Sequence, residues 1–99
     1  MIKNNLGFSD EVKNLSILEK GAMLQIILVL NRNGELLTSK IQKHIDVSNE
    51  TYYKARKRLE KLKLIEKKKY DFSQFEPYIL TDKGKKIGKY LVEISKLLA

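Results

Sequence analysis

Asn49, Glu50, Tyr53, Lys54, Lys57 and Lys61 follow one another at spacings of one, three, one, three and four residues. At about 100° per residue, this spacing places them on one side of a helix. Together they offer a carboxamide that donates and accepts, a carboxylate that accepts, a phenol and three ammonium groups. Such a set suits a polyanion that carries hydrogen-bonding edges between its charges. Asn49 can pair with N6 and N7 of adenine, Glu50 can accept from N4 of cytosine, and Tyr53 can pack on a thymine methyl or bond a phosphate. Lys54, Lys57 and Lys61 suit phosphates, which position a protein without reading sequence. A solvated amphipathic helix carries the same pattern, and for Glu50 a simple partnership with the helix dipole is an equal alternative.

The element that must position these groups is the stretch from Ser48 to Ile65. Ser48 is a good N-cap, since its hydroxyl can accept a free backbone N–H of the first turn. Thr51, Tyr52, Ala55, Leu59 and Leu62 recur at one-helix-face spacing on the opposite side, so that face belongs to a core and Tyr52 with it. Arg56 and Arg58 fall on opposite flanks, where either can reach phosphate or pair with Glu60 or Glu66; phosphate is preferred for Arg56.

Charge singles out the same region. The 99 residues carry a net +8. From Thr38 to Tyr70 there are eleven Lys and Arg against four acids, a net of +7, which leaves +1 for all the rest. Concentration of charge around one helix favours a phosphate-tracking surface over a merely soluble one. The length suits one domain spanning 1–99 with a single modest core, and 42% hydrophobic with 32% charged residues is ordinary globular composition. There is no cysteine and only one histidine, His44, so disulfides and thiolate chemistry are excluded and no metal site is expected. No Gly-rich phosphate loop, nucleophile motif or ligand spacing is present, so neither an enzyme nor a cofactor is expected. The longest apolar run, Ala22 to Leu30 with Gln25 inside it, is too short to span a bilayer. The expectation is an intracellular, cytoplasmic protein with no membrane partner.

Along the chain, Ser9 can cap a single turn through Val12, and Ser16 with Glu19 has capping-box spacing, so a central core helix is expected from Ser16 to the polar turn at Asn31–Gly34. Glu35 to Leu37 can form a strand stub. Thr38 or Ser39 can cap a short second helix with Ile41 and Ile45 as its stripe, and Ser39 and Gln42 again have capping-box spacing. Lys40, Lys43 and His44 lie on its basic side. After the helix at 48–62, Ile65 to Tyr70 and Tyr78 to Leu80 read as two strands joined by Asp71 to Glu76, with Pro77 opening the second. Phe72 and Phe75 in that loop are expected to fold back onto the core, in preference to inserting at a minor groove or a partner surface. Thr81 or Asp82 can cap a last helix to Leu98.

Order and spacing of these elements, with Val47-Ser48-Asn49-Glu50-Thr51, Leu59-Glu60-Lys61-Leu62 and Leu80-Thr81-Asp82-Lys83-Gly84, resemble the winged helix-turn-helix domain of small MarR-like and PadR-like transcription regulators. The resemblance covers about Ser16 to Gly84. It implies a mainly α fold with a small β-hairpin (α+β): helix-turn-helix at about 38–64, wing at 65–80, C-terminal helix at 81–98. It further implies a recognition helix at 48–62 that turns Asn49, Glu50, Tyr53, Lys54 and Lys57 to the major groove. Counted with its N-cap and flanks, the expected double-stranded DNA surface is Ser48, Asn49, Glu50, Tyr53, Lys54, Arg56, Lys57, Lys61 and Lys40, with Lys67, Lys68 and Lys69 on the wing. The family usually has glycine where Lys63 stands.

The function expected is a sequence-specific regulator; a nonspecific architectural DNA binder and a winged-helix protein-interaction module are the alternatives. Ile87, Tyr90, Leu91, Ile94, Leu97 and Leu98 form an apolar stripe wider than one neighbour needs, which predicts a homodimer through the last helix. The competing expectation is that Ile2, Leu6, Phe8, Val12 and Leu15 cover the stripe within one chain. No effector can be read from the sequence.

Overall fold

A computed structural model of the chain describes residues 9–99. Among them the elements run α1 (Asp10–Leu15), a 3-10 turn (Ser16–Glu19), α2 (Met23–Asn33), β1 (Glu35–Leu36), α3 (Thr38–His44), α4 (Asn49–Lys61), β2 (Ile65–Lys67), β3 (Tyr78–Leu80) and α5 (Asp82–Leu98). No helix among the described residues is long and apolar enough to cross a membrane.

Helix α2 is the hub. Met23, Ile26, Ile27 and Leu30 are buried along it, and it packs against α3, α4, α5 and strands β1 and β3. It does not begin at Ser16 as the spacing predicts. Lys20 is extended and Gly21 takes φ 54, so the chain turns once as a 3-10 helix and starts again at Met23. The Ser16 hydroxyl donates to the Val12 carbonyl at 2.6 Å instead of opening a capping box. Ile17 and Leu18 still pack on the core, so the apolar pattern was right and the continuity was not. At the other end Gly34, at φ 85, stops α2 as expected.

Strand β3 lies between the other two, antiparallel to both, with Glu35 opposite Ile79 and Lys67 opposite Tyr78. The first wing strand is shorter than predicted: β2 ends at Lys67, and the last hairpin bond is Lys68 N–H to the Pro77 carbonyl, 2.8 Å. Helix α3 is capped by neither Thr38 nor Ser39; its N-cap is Leu37, without a side-chain bond. Thr38 is otherwise engaged, accepting from the Tyr52 hydroxyl at 3.4 Å.

The exit of α4 fixes where the wing and α5 stand. Lys63 takes φ 61, the left-handed conformation that favours glycine. Its N–H donates to the Glu60 carbonyl at 3.0 Å and that of Leu64 to Leu59 at 2.9 Å, the paired bonds of a Schellman stop, with Leu59 and Leu64 both buried. The start of α5 then locks onto this stop. Thr81 Oγ1 donates to the Lys63 carbonyl at 2.6 Å and accepts from Gly84 N–H at 3.1 Å, while Thr81 N–H donates to the Leu64 carbonyl at 3.0 Å. Gly84 faces that same carbonyl so closely that a Cβ would strike it. The threonine and glycine of Leu80-Thr81-Asp82-Lys83-Gly84 therefore serve one joint.

Seventeen residues of α5 span about 25 Å at 1.5 Å each. Ile87 and Leu91 pack on the core, so two of the six residues of the expected apolar stripe are used within the chain. Tyr90, Ile94, Leu97 and Leu98 stay exposed, the last two above 80%. Val12 and Leu15 of α1 are themselves exposed; Ile2, Leu6 and Phe8 lie outside the described residues.

Candidate nucleic-acid interface

Helix α4 is built as its two faces require. The Ser48 hydroxyl accepts from Thr51 N–H at 3.1 Å and donates to Thr51 Oγ1 at 3.0 Å, which ends the turn after α3 and aims the first residues of α4 outward. Tyr52, Ala55 and Leu59 are buried, and burial raises the pKa of Tyr52, with the Thr38 bond opposing. The phenol links α4 to α3 through Thr38. Asn49, Glu50, Tyr53, Lys54, Lys57 and Lys61 are all exposed on the other side.

Three of these are already engaged through polar side-chain atoms. Glu50 pairs with Lys54 at 3.1 Å, but both side chains are more than 70% exposed, and such an i,i+4 pair contributes only about 0.3–0.5 kcal/mol. Asn49 Oδ1 accepts from Gln42 Nε2 at 2.8 Å. Gln42 was expected only in a capping box with Ser39; an amide pair across a helix turn leaves no periodic signal.

Arg56 differs from the phosphate preference. Its guanidinium carbon lies 5.1 Å from the Tyr53 ring centroid and 5.5 Å from that of Tyr78, and Nε is 3.3 Å from Glu60 Oε1. The side chain is only 20% exposed. Nε is buried without a well-directed hydrogen bond, so the Glu60 contact is an ion pair by distance alone. Arg56 links the exposed face of α4 to the sheet rather than projecting into solvent, the Glu60 alternative among those open to it. Tyr78, at its other side, is buried and its pKa is raised by that burial.

On the wing, Lys67 follows the Tyr78 face, 5.7 Å from that ring centroid and 3.9 Å from Glu76 Oε1. Lys68 lies 5.1 Å from the Tyr70 ring centroid. Lys69, like Lys40 and Lys43 on α3, is exposed and has no ion pair among the described residues. His44 is also exposed. The two wing-tip aromatics do not reach the core. Phe72 is 86% exposed and Phe75 39%; both pack on Tyr70, at 5.6 and 5.8 Å between ring centroids. Tyr70 is tied back to β1 by its hydroxyl, which donates to Glu35 Oε1 at 2.6 Å and raises its pKa. A local aromatic partner, three residues before the loop's midpoint, holds what the core was expected to hold.

The solved structures resemble this chain along its length. A protein of Porphyromonas gingivalis W83 described as a MarR-family transcriptional regulator is 26% identical, with 96% of this chain covering 94% of that one at a TM-score of 0.73. The reduced form of the transcriptional regulator YodB from B. subtilis is 23% identical over 90% of this chain and 89% of its own, TM-score 0.75. A Thermoplasma volcanium GSS1 protein described as an HxlR-family transcriptional factor is 23% identical over 96% and 91%, TM-score 0.75. No family model and no curated protein matches the chain. The fold is that of the winged-helix regulators, a mostly helical α+β domain with a small antiparallel sheet.

Proposed function

We propose that this chain is a sequence-specific double-stranded DNA-binding transcription regulator, with α4 in the major groove and the basic wing on the backbone. The observation that carries the reading is the division of α4: its apolar residues are buried while Asn49, Glu50 and Tyr53 stand exposed at its N-terminal end, with Lys54, Lys57 and Lys61 behind them. Groups that discriminate base edges occupy the part of the helix that enters a groove first, and cations follow along its length. A nonspecific binder needs only the cations. The likeness to solved regulators supports the same reading. With no cysteine in the chain, thiol–disulfide exchange is not a route by which binding could be switched.

A homodimer through α5 completes the proposal. Tyr90, Ile94, Leu97 and Leu98 are exposed along its distal half, an apolar stripe of the sort that soluble monomers keep small. A two-fold would set two copies of α4 on half-sites about 34 Å apart, one turn of the duplex, so the operator would be palindromic. Selection from random duplexes at moderate salt, followed by footprinting, tests both parts. The expected result is one protected palindrome; protection spread evenly along competitor DNA would favour the architectural alternative.

A further inference from the structure

Gln42 lies in α3 and Asn49 is the first residue of α4. Their carboxamides meet across the turn, Gln42 Nε2 donating to Asn49 Oδ1 at 2.8 Å. No second hydrogen bond of the described residues occupies either group, so one lone pair of Oδ1 and both hydrogens of Nδ2 remain open on Asn49.

We propose that Gln42 is a positioning residue for base recognition: it fixes the plane and polarity of the Asn49 carboxamide, and the joined pair selects adenine at one base pair. The inference rests on the DNA-binding reading above and deepens it. An asparagine carboxamide turned by half a revolution exchanges its acceptor for its donor with almost no change of shape. Adenine offers an N6–H donor beside the N7 acceptor, whereas guanine offers two acceptors. With Gln42 donating to Oδ1, a half-turn of Asn49 alone would set one NH₂ against another, so the Asn49 amide can reverse only if Gln42 reverses with it. The second lone pair of Oδ1 then accepts from adenine N6 while Nδ2 donates to N7. Guanine O6 would meet the same oxygen and be rejected. Water competes for the amide pair in the free protein, because Asn49 is exposed and Gln42 only partly covered. A groove that excludes water strengthens the bond, so its effect is on recognition rather than on folding.

The test compares wild type, Gln42→Ala, Gln42→Glu, Asn49→Ala and the double variant Gln42→Ala/Asn49→Ala on the selected duplex and its single-base-pair variants, at fixed salt, with a melting curve for each protein. Gln42→Ala should lower the adenine-over-guanine ratio about three- to tenfold at the one base pair where Asn49→Ala also acts, with other positions and the melting temperature unchanged. Gln42→Glu cannot donate and accepts from Nδ2 instead, so it should abolish that ratio. The double variant should match Asn49→Ala alone. Equal loss on every duplex, an effect at a different base pair, or losses that multiply in the double variant would overturn the proposal. A wild type without sequence preference contradicts the specific-regulator reading itself, and shows before any variant is compared.

Discussion

Replacing Lys63 with glycine should stabilise the protein, although it removes a side chain and adds nothing. Lys63 holds φ 61 in the Schellman stop of α4, and a side chain in the left-handed region costs about 1–2 kcal/mol relative to the right-handed one. Glycine is free of that cost but loses about 0.5–1 kcal/mol more backbone freedom on folding. The net gain is about 0.5–1 kcal/mol. The Lys63 side chain is exposed and makes no ion pair among the described residues, so little is lost with it. For a domain of this size the melting temperature should rise by roughly 2–8 °C. Urea unfolding followed by far-UV circular dichroism, with the slope unchanged, gives the free energy directly. Lys63→Ala, which keeps a Cβ, should be near neutral, and Lys63→Val should destabilise because its branched side chain fits the left-handed region poorly. A glycine variant less stable than wild type, with the alanine variant unchanged, would refute the left-handed stop and the wing direction that follows from it.

Gly84→Ala drives a Cβ onto the Leu64 carbonyl and should cost about 1–3 kcal/mol or more in the same unfolding assay. Gly88→Ala should cost less, since its Cβ meets the Asn31 side chain at 2.7 Å, and that side chain can move. Phe72→Ser should leave stability within about 0.5 kcal/mol because the ring is exposed, while Tyr70→Phe should lose about 1 kcal/mol with its bond to Glu35. The raised pKa values of Tyr52, Tyr70 and Tyr78 mean that the folded state holds these protons more tightly. The stability they contribute is complete below the unfolded tyrosine value of about 10 and is lost as pH rises from there through the folded values; absorbance titration of folded and urea-unfolded protein should show the later ionisation when folded. Sedimentation equilibrium should give twice the 11.5 kDa chain mass for wild type and a single chain for Leu97→Glu, which spares the core-packed Leu91; a single-chain wild type at tens of micromolar would sink the dimer.

Helical periodicity made α4 and α5 legible, because in both the apolar positions repeat with the period of the helix and a hydroxyl at the N-cap marks the start. The stop at Gly34 could be read for the same reason, that its residue type and its φ agree. The break at Gly21 could not. A glycine within a helical pattern costs only about 1 kcal/mol, so nothing in the pattern distinguishes a tolerated glycine from one that turns the chain. Non-local pairs of side chains were the other blind spot. Arg56 between Tyr53 and Tyr78, Tyr70 beneath Phe72 and Phe75, and Gln42 on Asn49 all depend on where separate elements come to rest. Composition marked each as polar, aromatic or basic without saying which would be consumed inside the fold. The basic face of α4 escaped that problem, since its outward direction follows from the burial of the opposite side.

The most direct test of a DNA-tracking surface on α4 and the wing is the salt dependence of binding, measured by fluorescence anisotropy on the selected duplex and on a random one. Lys54, Lys57, Lys61, Lys67, Lys68 and Lys69 are all exposed, and six neutralised phosphates give a slope of log affinity against log salt of about −5 on either duplex. Lys57→Ala should make that slope shallower by about 0.9 and leave the preference between the two duplexes intact. A nearly level plot, or a slope that Lys57→Ala does not change, would contradict it.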